Sequence, residues 1–306
     1  MDLAIVGPSA SGKTALAARI ADLCPDVALV SVDALAVYRK MDVGTAKPTR
    51  PADPASRHPW HLVDLADPAE EYSVARFQRA FARAREEIHA TGRHAVLVGG
   101  TGLYHRAVVD GLELPGRYPA VAARLEREAA SGRSSEALHA RLRELDPVAA
   151  GRMEPSNLRR VIRALEVTEG SGRRFSEFGP GLRTYPEIDT LVVGLRLDRA
   201  VLASRLEQRL VAQMEEGFLD EVRALAVAPG GLSRTARQAI GYAELLGHLE
   251  GRWSLEEALE RAVRRLRSFA RRQEAWFRRD PRVEWFEADD PSLVDRVIER
   301  WETARP

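Results

Sequence analysis

Residues 7–14 read GPSASGKT, preceded by the apolar run Leu3–Val6 and followed by the helix-forming stretch Ala15–Ala21. The spacing G-x-x-x-x-G-K-[ST] gains its meaning from that setting, because a strand feeding a glycine turn that opens a helix builds an anion cradle. Gly7 and Gly12 let backbone N–H groups turn inward, and the helix start adds partial positive charge. The expected diphosphate-binding set is Gly7, Ser9, Ala10, Ser11, Gly12, Lys13 and Thr14. Lys13 reaches across the phosphates, and the Thr14 hydroxyl is placed to hold Mg²⁺, the one cofactor expected. The motif specifies a di- or triphosphate ligand and leaves open which one.

Outward from the loop, further short apolar runs lie at Val27–Val32, Ala95–Val98 and Leu191–Leu197, with helical stretches between them. That alternation predicts an α/β fold, a mostly parallel sheet of the P-loop NTPase-like kind. Val74, Phe77, Phe81, Ala84 and Ile88 mark the apolar face of one helix, with Ser73 as its N-cap. Residues 46–59 carry Pro48, Pro51, Pro54 and Pro59 and read as a surface loop. From about Val121 to Val167 the chain is helical, rich in Arg and Glu, and has no strand signal; Gly170–Pro186 reads as loop. The expected division is therefore a catalytic core of residues 1–115 and 188–306, with an inserted all-helical domain at 116–187. The last third reads as helical, and Arg261–Arg279 is its most basic stretch.

The second strand, VALVSVD, ends at Asp33, and the third, HAVLVGG, runs into the turn Gly99-Gly100-Thr101-Gly102. In a parallel sheet both ends open on the edge that carries the phosphate loop. A carboxylate and a hydroxyl thus converge on the ligand. Each also has a plain structural reading, Asp33 as the cap of the next turn and Thr101 as a turn residue. No apolar strand after the loop's helix ends in a second acid, as a nucleotide hydrolase would require to hold Mg²⁺.

Of 306 residues, 45% are hydrophobic, enough for two cores, and the formal net charge is only +1. Any nucleic-acid surface is consequently a local patch. Positive charge is almost entirely arginine, the lysines being Lys13, Lys40 and Lys47. A single cysteine, Cys24, excludes an internal disulfide framework and a multi-cysteine metal site. MDLAIV does not read as a signal peptide, and no apolar run nears the roughly 20 residues that span a bilayer, so a cytoplasmic monomer without membrane contact is expected.

Together these segments resemble one family, the tRNA dimethylallyltransferases (tRNA isopentenyltransferases). GPSASGKT is similar to its phosphate loop, and DALAVYRKMDVGTAKP (Asp33–Pro48) to its signature. HLVDLADP, YSVARF, GGTGLY, RRVIRALEV, RQAIGYAEL and RRQEAWFRR follow in the family's order, so the resemblance spans nearly the whole chain. It implies transfer of a dimethylallyl group from dimethylallyl diphosphate to the N6 amine of the adenosine 3′ of the anticodon (position 37). The partner would be the anticodon stem-loop of tRNAs that read codons beginning with U. By the same resemblance Asp33 is the catalytic base, Thr101 contacts the reacting groups, and Arg209 helps bind the leaving diphosphate. Asp33, Ala34, Leu35, Ala36, Thr101, Arg159, Arg160, Val161, Ile162, Arg163, Gln238 and Arg272 fall on tRNA-binding positions. The chain departs from the family pattern at Ala34, Ala36, Ala122 and Asn157, where polar residues are usual, which bears on RNA affinity more than on diphosphate chemistry.

Two other readings carry different expectations. A small-molecule kinase shares the loop and the strand-end carboxylate, but gives no reason for GTAKP or RQAIGY. A non-catalytic RNA-binding relative would account for the lost polar residues beside Asp33.

Overall fold

A computed structural model of the protein describes residues 1–49, 54–179, 181–182 and 184–305. Six strands form one parallel sheet: β1 (Asp2–Val6), β2 (Val27–Ser31), β3 (Trp60–His61), β4 (His94–Gly99), β5 (Thr190–Arg196) and β6 (Val283–Glu287), in the order β3-β2-β4-β1-β5-β6. The strand that feeds the phosphate loop therefore lies between β4 and β5. Alternate residues of β1 bury on opposite faces. Leu3 and Ile5 pack in the core shared with Leu16, Ile20, Val297 and Trp301, whereas Ala4 and Val6 pack in the one shared with Phe77, Phe81 and Leu210. A parallel sheet with both faces covered calls for near-continuous apolar strands, and Leu3–Val6 of β1, Val27–Val30 of β2 and Ala95–Val98 of β4 are such runs.

The covering helices of this unit are α1 (Lys13–Leu23), α2 (Val74–Ala90) and α3 (Gly102–Val109). The chain divides into two compact units, Met1–Asp110 with Glu187–Pro306, and Gly111–Pro186. The second holds α4 (Pro119–Ala130), α5 (Ser135–Leu145), α6 (Pro147–Ala150) and α7 (Leu158–Ser171). It has its own core of Leu125, Leu138, Leu142, Val161, Ile162, Ala164 and Leu165. The first unit then continues through α8 (Arg199–Glu215), α9 (Phe218–Val227), α10 (Arg234–Arg237), α11 (Tyr242–Leu249), α12 (Leu255–Phe277) and α13 (Leu293–Ala304). The smaller unit starts at Gly111, ahead of the Pro115 break, because the chain leaves the core directly after α3.

Ser73 caps α2 as its sequence indicates, its hydroxyl accepting the Arg76 N–H at 3.3 Å. Three readings need correction. The C-terminal third contains β6, whose five residues VEWFE are too short to stand out from helical surroundings. Gly170–Pro186 is not all loop, since α7 continues to Ser171 and a 3-10 turn covers Phe175–Glu177. The proline-rich segment is not simply a surface loop either: Lys47 and Pro48 are buried, and the following 3-10 turn, Pro54–Arg57, buries Ala55. Pro51 lies outside the described residues.

Candidate active site at the strand ends

Gly7 sits at φ +142°, and a Cβ there would meet the Leu195 carbonyl oxygen at 2.7 Å, so no other residue fits between β1 and β5. Gly12 (φ +92°) and Ala10 (φ +64°) take left-handed conformations that curl the loop over the start of α1. Ser11 is 1% exposed, and its hydroxyl oxygen is buried without a hydrogen-bond partner. The Lys13 ammonium bends back to donate to the Pro8 carbonyl at 2.6 Å. Desolvation pushes that ammonium down to about 7, and the nearby Arg209 charge pushes the same way, while Asp33 opposes both. A bound diphosphate would satisfy the orphaned hydroxyl and restore the Lys13 charge.

Asp33 fills the capping role that its sequence allowed and keeps one carboxylate oxygen free of it. Its Oδ1 accepts the N–H groups of Leu35 (2.8 Å) and Ala36 (3.3 Å), capping the turn, whereas Oδ2 has no hydrogen-bond partner among the described residues. One oxygen thus fixes the carboxylate and leaves the other able to accept a proton. The Thr101 hydroxyl oxygen accepts the Ala34 N–H at 3.3 Å, so the two strand-end turns are tied directly together. Burial raises the Tyr104 phenol above its ordinary range, with Tyr38 and Asp33 adding to the effect, and so keeps it neutral.

The strand beside β1 ends in Gly99-Gly100, with no acid, and Asp198 after β5 is spent capping α8 through the Ala200 and Val201 N–H groups. Among the described residues no cluster of three acids, histidines or cysteines could hold a metal unaided. Mg²⁺ suits such a site, since it keeps several waters and takes few protein ligands beside phosphate oxygens. Thr14, at the start of α1, supplies the hydroxyl for it.

The glycines around Thr101 leave room for a neighbouring helix. A Cβ on Gly100 would meet the Gln273 amide nitrogen at 2.2 Å, and one on Gly102 would meet the Trp276 ring at 2.2 Å. They admit α12. From that helix Gln273, 5% exposed, accepts the Ser9 N–H through Oε1 at 2.9 Å and donates through Nε2 to the Gly100 carbonyl at 2.9 Å. Sequence reasoning missed this residue, although an amide in the core register of Ala270 and Phe277 was the available signal.

GTAKP and RQAIGY also acquire a physical reason. Glu221, on α9, accepts N–H bonds from Asp42 (2.7 Å), Val43 (2.7 Å) and Gly44 (3.1 Å), together with the Tyr242 hydroxyl at 2.5 Å. Lys47, 1% exposed, bonds the Tyr38 carbonyl at 2.7 Å and pairs with Asp42 (2.5 Å) and Asp64 (2.6 Å). Cβ atoms on Gly44 and Gly241 would collide with the Phe218 ring at 2.1 and 2.7 Å. The segment so fixed presents the Thr45 carbonyl, which accepts a bond from Arg209 at 3.2 Å. Arg209 in turn borders a small cavity lined by Leu206, Leu210, Phe218, Ile240 and Leu266.

The RNA-binding expectations divide. Arg159 and Arg160 are exposed and form no ion pair among the described residues, but Val161 and Ile162 are buried in the core of the helical unit, so their side chains cannot touch RNA. Arg163 is committed inside that unit, bonding the Pro115 carbonyl at 2.9 Å and the buried Glu166 at 2.9 Å. Ala36 is 4% exposed and likewise turned inward, whereas Ala34 and Leu35 remain partly exposed. Asn157 keeps a helix-capping role, its side chain accepting the Arg160 N–H at 3.3 Å. On and beside α12, Arg264, Arg265, Arg267 and Arg278 are neutralised by Glu260, Glu244, Glu207 and Glu274. Arg271 and Arg279 are exposed without an acid partner among the described residues; Arg272 is exposed and donates to Ser268 at 2.7 Å. Gln238 is exposed after α10, its carbonyl accepting a bond from Arg265 at 3.1 Å.

The IPP transferase family model matches residues 36–280 of this chain. The tRNA dimethylallyltransferase of Nocardioides sp. is 45% identical over 297 residues, covering 97% of this chain and 94% of that protein. The one from Thermobifida fusca is 44% identical over 303 residues, covering 97% and 92%. Among solved structures, the full-length tRNA isopentenylpyrophosphate transferase of Bacillus halodurans superposes with a TM-score of 0.71 at 35% identity, over 99% of this chain and 95% of that one. A eukaryotic dimethylallyltransferase captured acting on tRNA gives 0.79 at 25% identity, over 100% and 80%.

Proposed function

Since the chain belongs to the IPP transferase family, a family of prenyl transfer to tRNA, we propose that it moves a dimethylallyl group from dimethylallyl diphosphate to the N6 amine of the adenosine at position 37 of tRNA. The observation that carries this reading is the pairing of an anion cradle with a half-free carboxylate: an orphaned Ser11 hydroxyl and a desolvated Lys13 on one side, the unpartnered Oδ2 of Asp33 on the other. The substrates are tRNAs reading codons that begin with U, met in the cytoplasm. No described helix is long and apolar enough to cross a membrane.

An adenine amine is a weak nucleophile, because its lone pair is delocalised into the ring. The reaction depends on stabilising the leaving group and on holding the two reactants in line. Loop amides, Ser11, Lys13 and Arg209 take the charge that grows on diphosphate as the carbon–oxygen bond breaks. Asp33 Oδ2 accepts a hydrogen bond from the amine and removes its proton as the carbon–nitrogen bond forms, a role worth about 10²–10⁴-fold. Thr101 holds the Asp33 turn against the reacting groups. The Thr14 hydroxyl would help hold a Mg²⁺ ion, which would supply further neutralisation of the leaving group. Water has to be kept from the site while the allylic diphosphate is bound, or it would be hydrolysed. The adenosine must leave its stack to be reached, which is cheapest in a loop.

Purified protein with Mg²⁺, labelled dimethylallyl diphosphate and tRNA lacking the modification tests this directly. Label in RNA, mapped to position 37, is the expected result; ATP consumption with a metabolite and no label in RNA would make it a kinase instead.

A further inference from the structure

Gln273 is the one side chain described here that bonds both the diphosphate loop and the turn carrying Thr101. Its Oε1 lies 2.9 Å from the Ser9 N–H and 3.3 Å from the Ser9 hydroxyl, and its Nε2 lies 2.9 Å from the Gly100 carbonyl. An amide of this length accepts and donates at once whatever the pH, so the contact is chemically specific. The space is specific as well, because a Cβ on Gly100 would stand 2.2 Å from Nε2 and 3.0 Å from the Gly7 carbonyl oxygen. Thr101 follows Gly100 directly and bonds the turn that orients Asp33. A continuous path of short bonds thus runs from Ser9 through Gln273 and Gly100 to Thr101, Ala34 and Asp33. Packing alone does not call for it: the neighbouring core positions of α12 are Ala270 and Phe277, and an apolar side chain at 273 would fill the volume while leaving a buried N–H and C=O unpaired.

We infer that Gln273 is a positioning residue of the transfer reaction, setting the separation between the diphosphate cradle and the Thr101–Asp33 pair. It touches neither reactant. It acts by holding both halves of the site to one rigid helix, and small errors in that separation are costly because transfer needs the reacting atoms aligned near van der Waals contact. This rests on the prenyl-transfer reading given above.

The test compares wild type with Gln273→Met and Gln273→Glu in steady-state transfer to tRNA, with rates normalised to folded protein by thermal melting. The methionine variant keeps the volume and loses both bonds. Its kcat should fall at least tenfold, while KM for dimethylallyl diphosphate and for tRNA stay within threefold, since the loop amides, Lys13 and the RNA-facing arginines remain. In the glutamate variant an ionised carboxylate faces the Gly100 carbonyl and repels it, whereas a protonated one restores both bonds, its O–H donating to Gly100. Its kcat relative to wild type should therefore rise at least fivefold between pH 8 and pH 6; taking the ratio removes pH effects common to both proteins. A lowered melting temperature with unchanged kcat per folded molecule in the methionine variant, or a flat glutamate ratio, would overturn the inference and leave prenyl transfer intact. A wild-type protein that transfers no prenyl group would overturn both.

Discussion

Raising the pH from 7 to 9 should weaken diphosphate binding about 50-fold through Lys13 alone. In the free site the Lys13 ammonium is held down to about 7, first by desolvation and then by Arg209. A bound diphosphate brings at least two negative charges to its tip and returns it toward the ordinary 10.5. The sign follows from the two protonation states. Above pH 7 the free enzyme has lost the proton and the complex has kept it, so binding takes up a proton and affinity falls about tenfold per pH unit until the bound group itself titrates. Because half of the free sites have already lost the proton at pH 7, the two units amount to about 1.7 powers of ten, or about 2.3 kcal/mol. The ligand contributes little slope there, its last phosphate ionisation lying near pH 6. Stability of the unliganded protein moves the other way: the unfolded chain binds the extra proton over this window, so this group's contribution to stability rises with pH. Calorimetry of diphosphate binding, in buffers of differing ionisation enthalpy, should find proton uptake of about one half at pH 7, approaching one by pH 9. Lys13→Arg, permanently charged, should abolish the slope. Uptake near zero at pH 8–9 with constant Kd would refute the reasoning.

Asp33→Asn keeps an Oδ1 acceptor for the Leu35 and Ala36 N–H groups, so tRNA affinity should hold within about threefold while kcat falls about 10²–10⁴-fold; equal losses in a binding and a turnover assay would make Asp33 structural. Replacing Arg159 and Arg160 by Ala should reduce the slope of log affinity against log salt by about two, near one per lost phosphate contact, in a filter-binding titration. Val161→Ala should leave that slope unchanged and lower the melting temperature instead, because Val161 is fully buried. Glu221→Gln sets an amide donor against backbone N–H donors and should cost about 2–4 kcal/mol in chemical denaturation, from the loss of one or two charge-assisted bonds. Transfer activity should fall with it, through the Thr45 carbonyl that holds Arg209.

The phosphate loop was legible because its signal is local: eight consecutive residues, flanked by a strand and a helix, carry the whole motif. The parallel sheet was legible for a related reason, since burial on both faces imposes an apolar run that any window of five residues reveals. Asp33 and Thr101 could be placed at the same sheet edge by strand direction alone. Segment order along the whole chain carried the family resemblance, to which the family match and the relatives now add. What the linear chain could not carry was the partner of each group. Arg159, Arg160, Val161, Ile162 and Arg163 look like one basic-flanked run, but a helix turns them about 100° apiece, so two face solvent, two enter a core and one bonds inward. Gln273 reads as one more polar residue among arginines until α12 is laid against Gly100 and Gly102. Glu221 and the amides it gathers are separated by 177 to 179 residues, and Gln273 and Ser9 by 264. Residue type and local spacing thus determined which chemistry this protein holds. Only tertiary packing decided which side chains keep that chemistry in register, because hydrogen bonds between distant segments leave no periodicity in the sequence that encodes them.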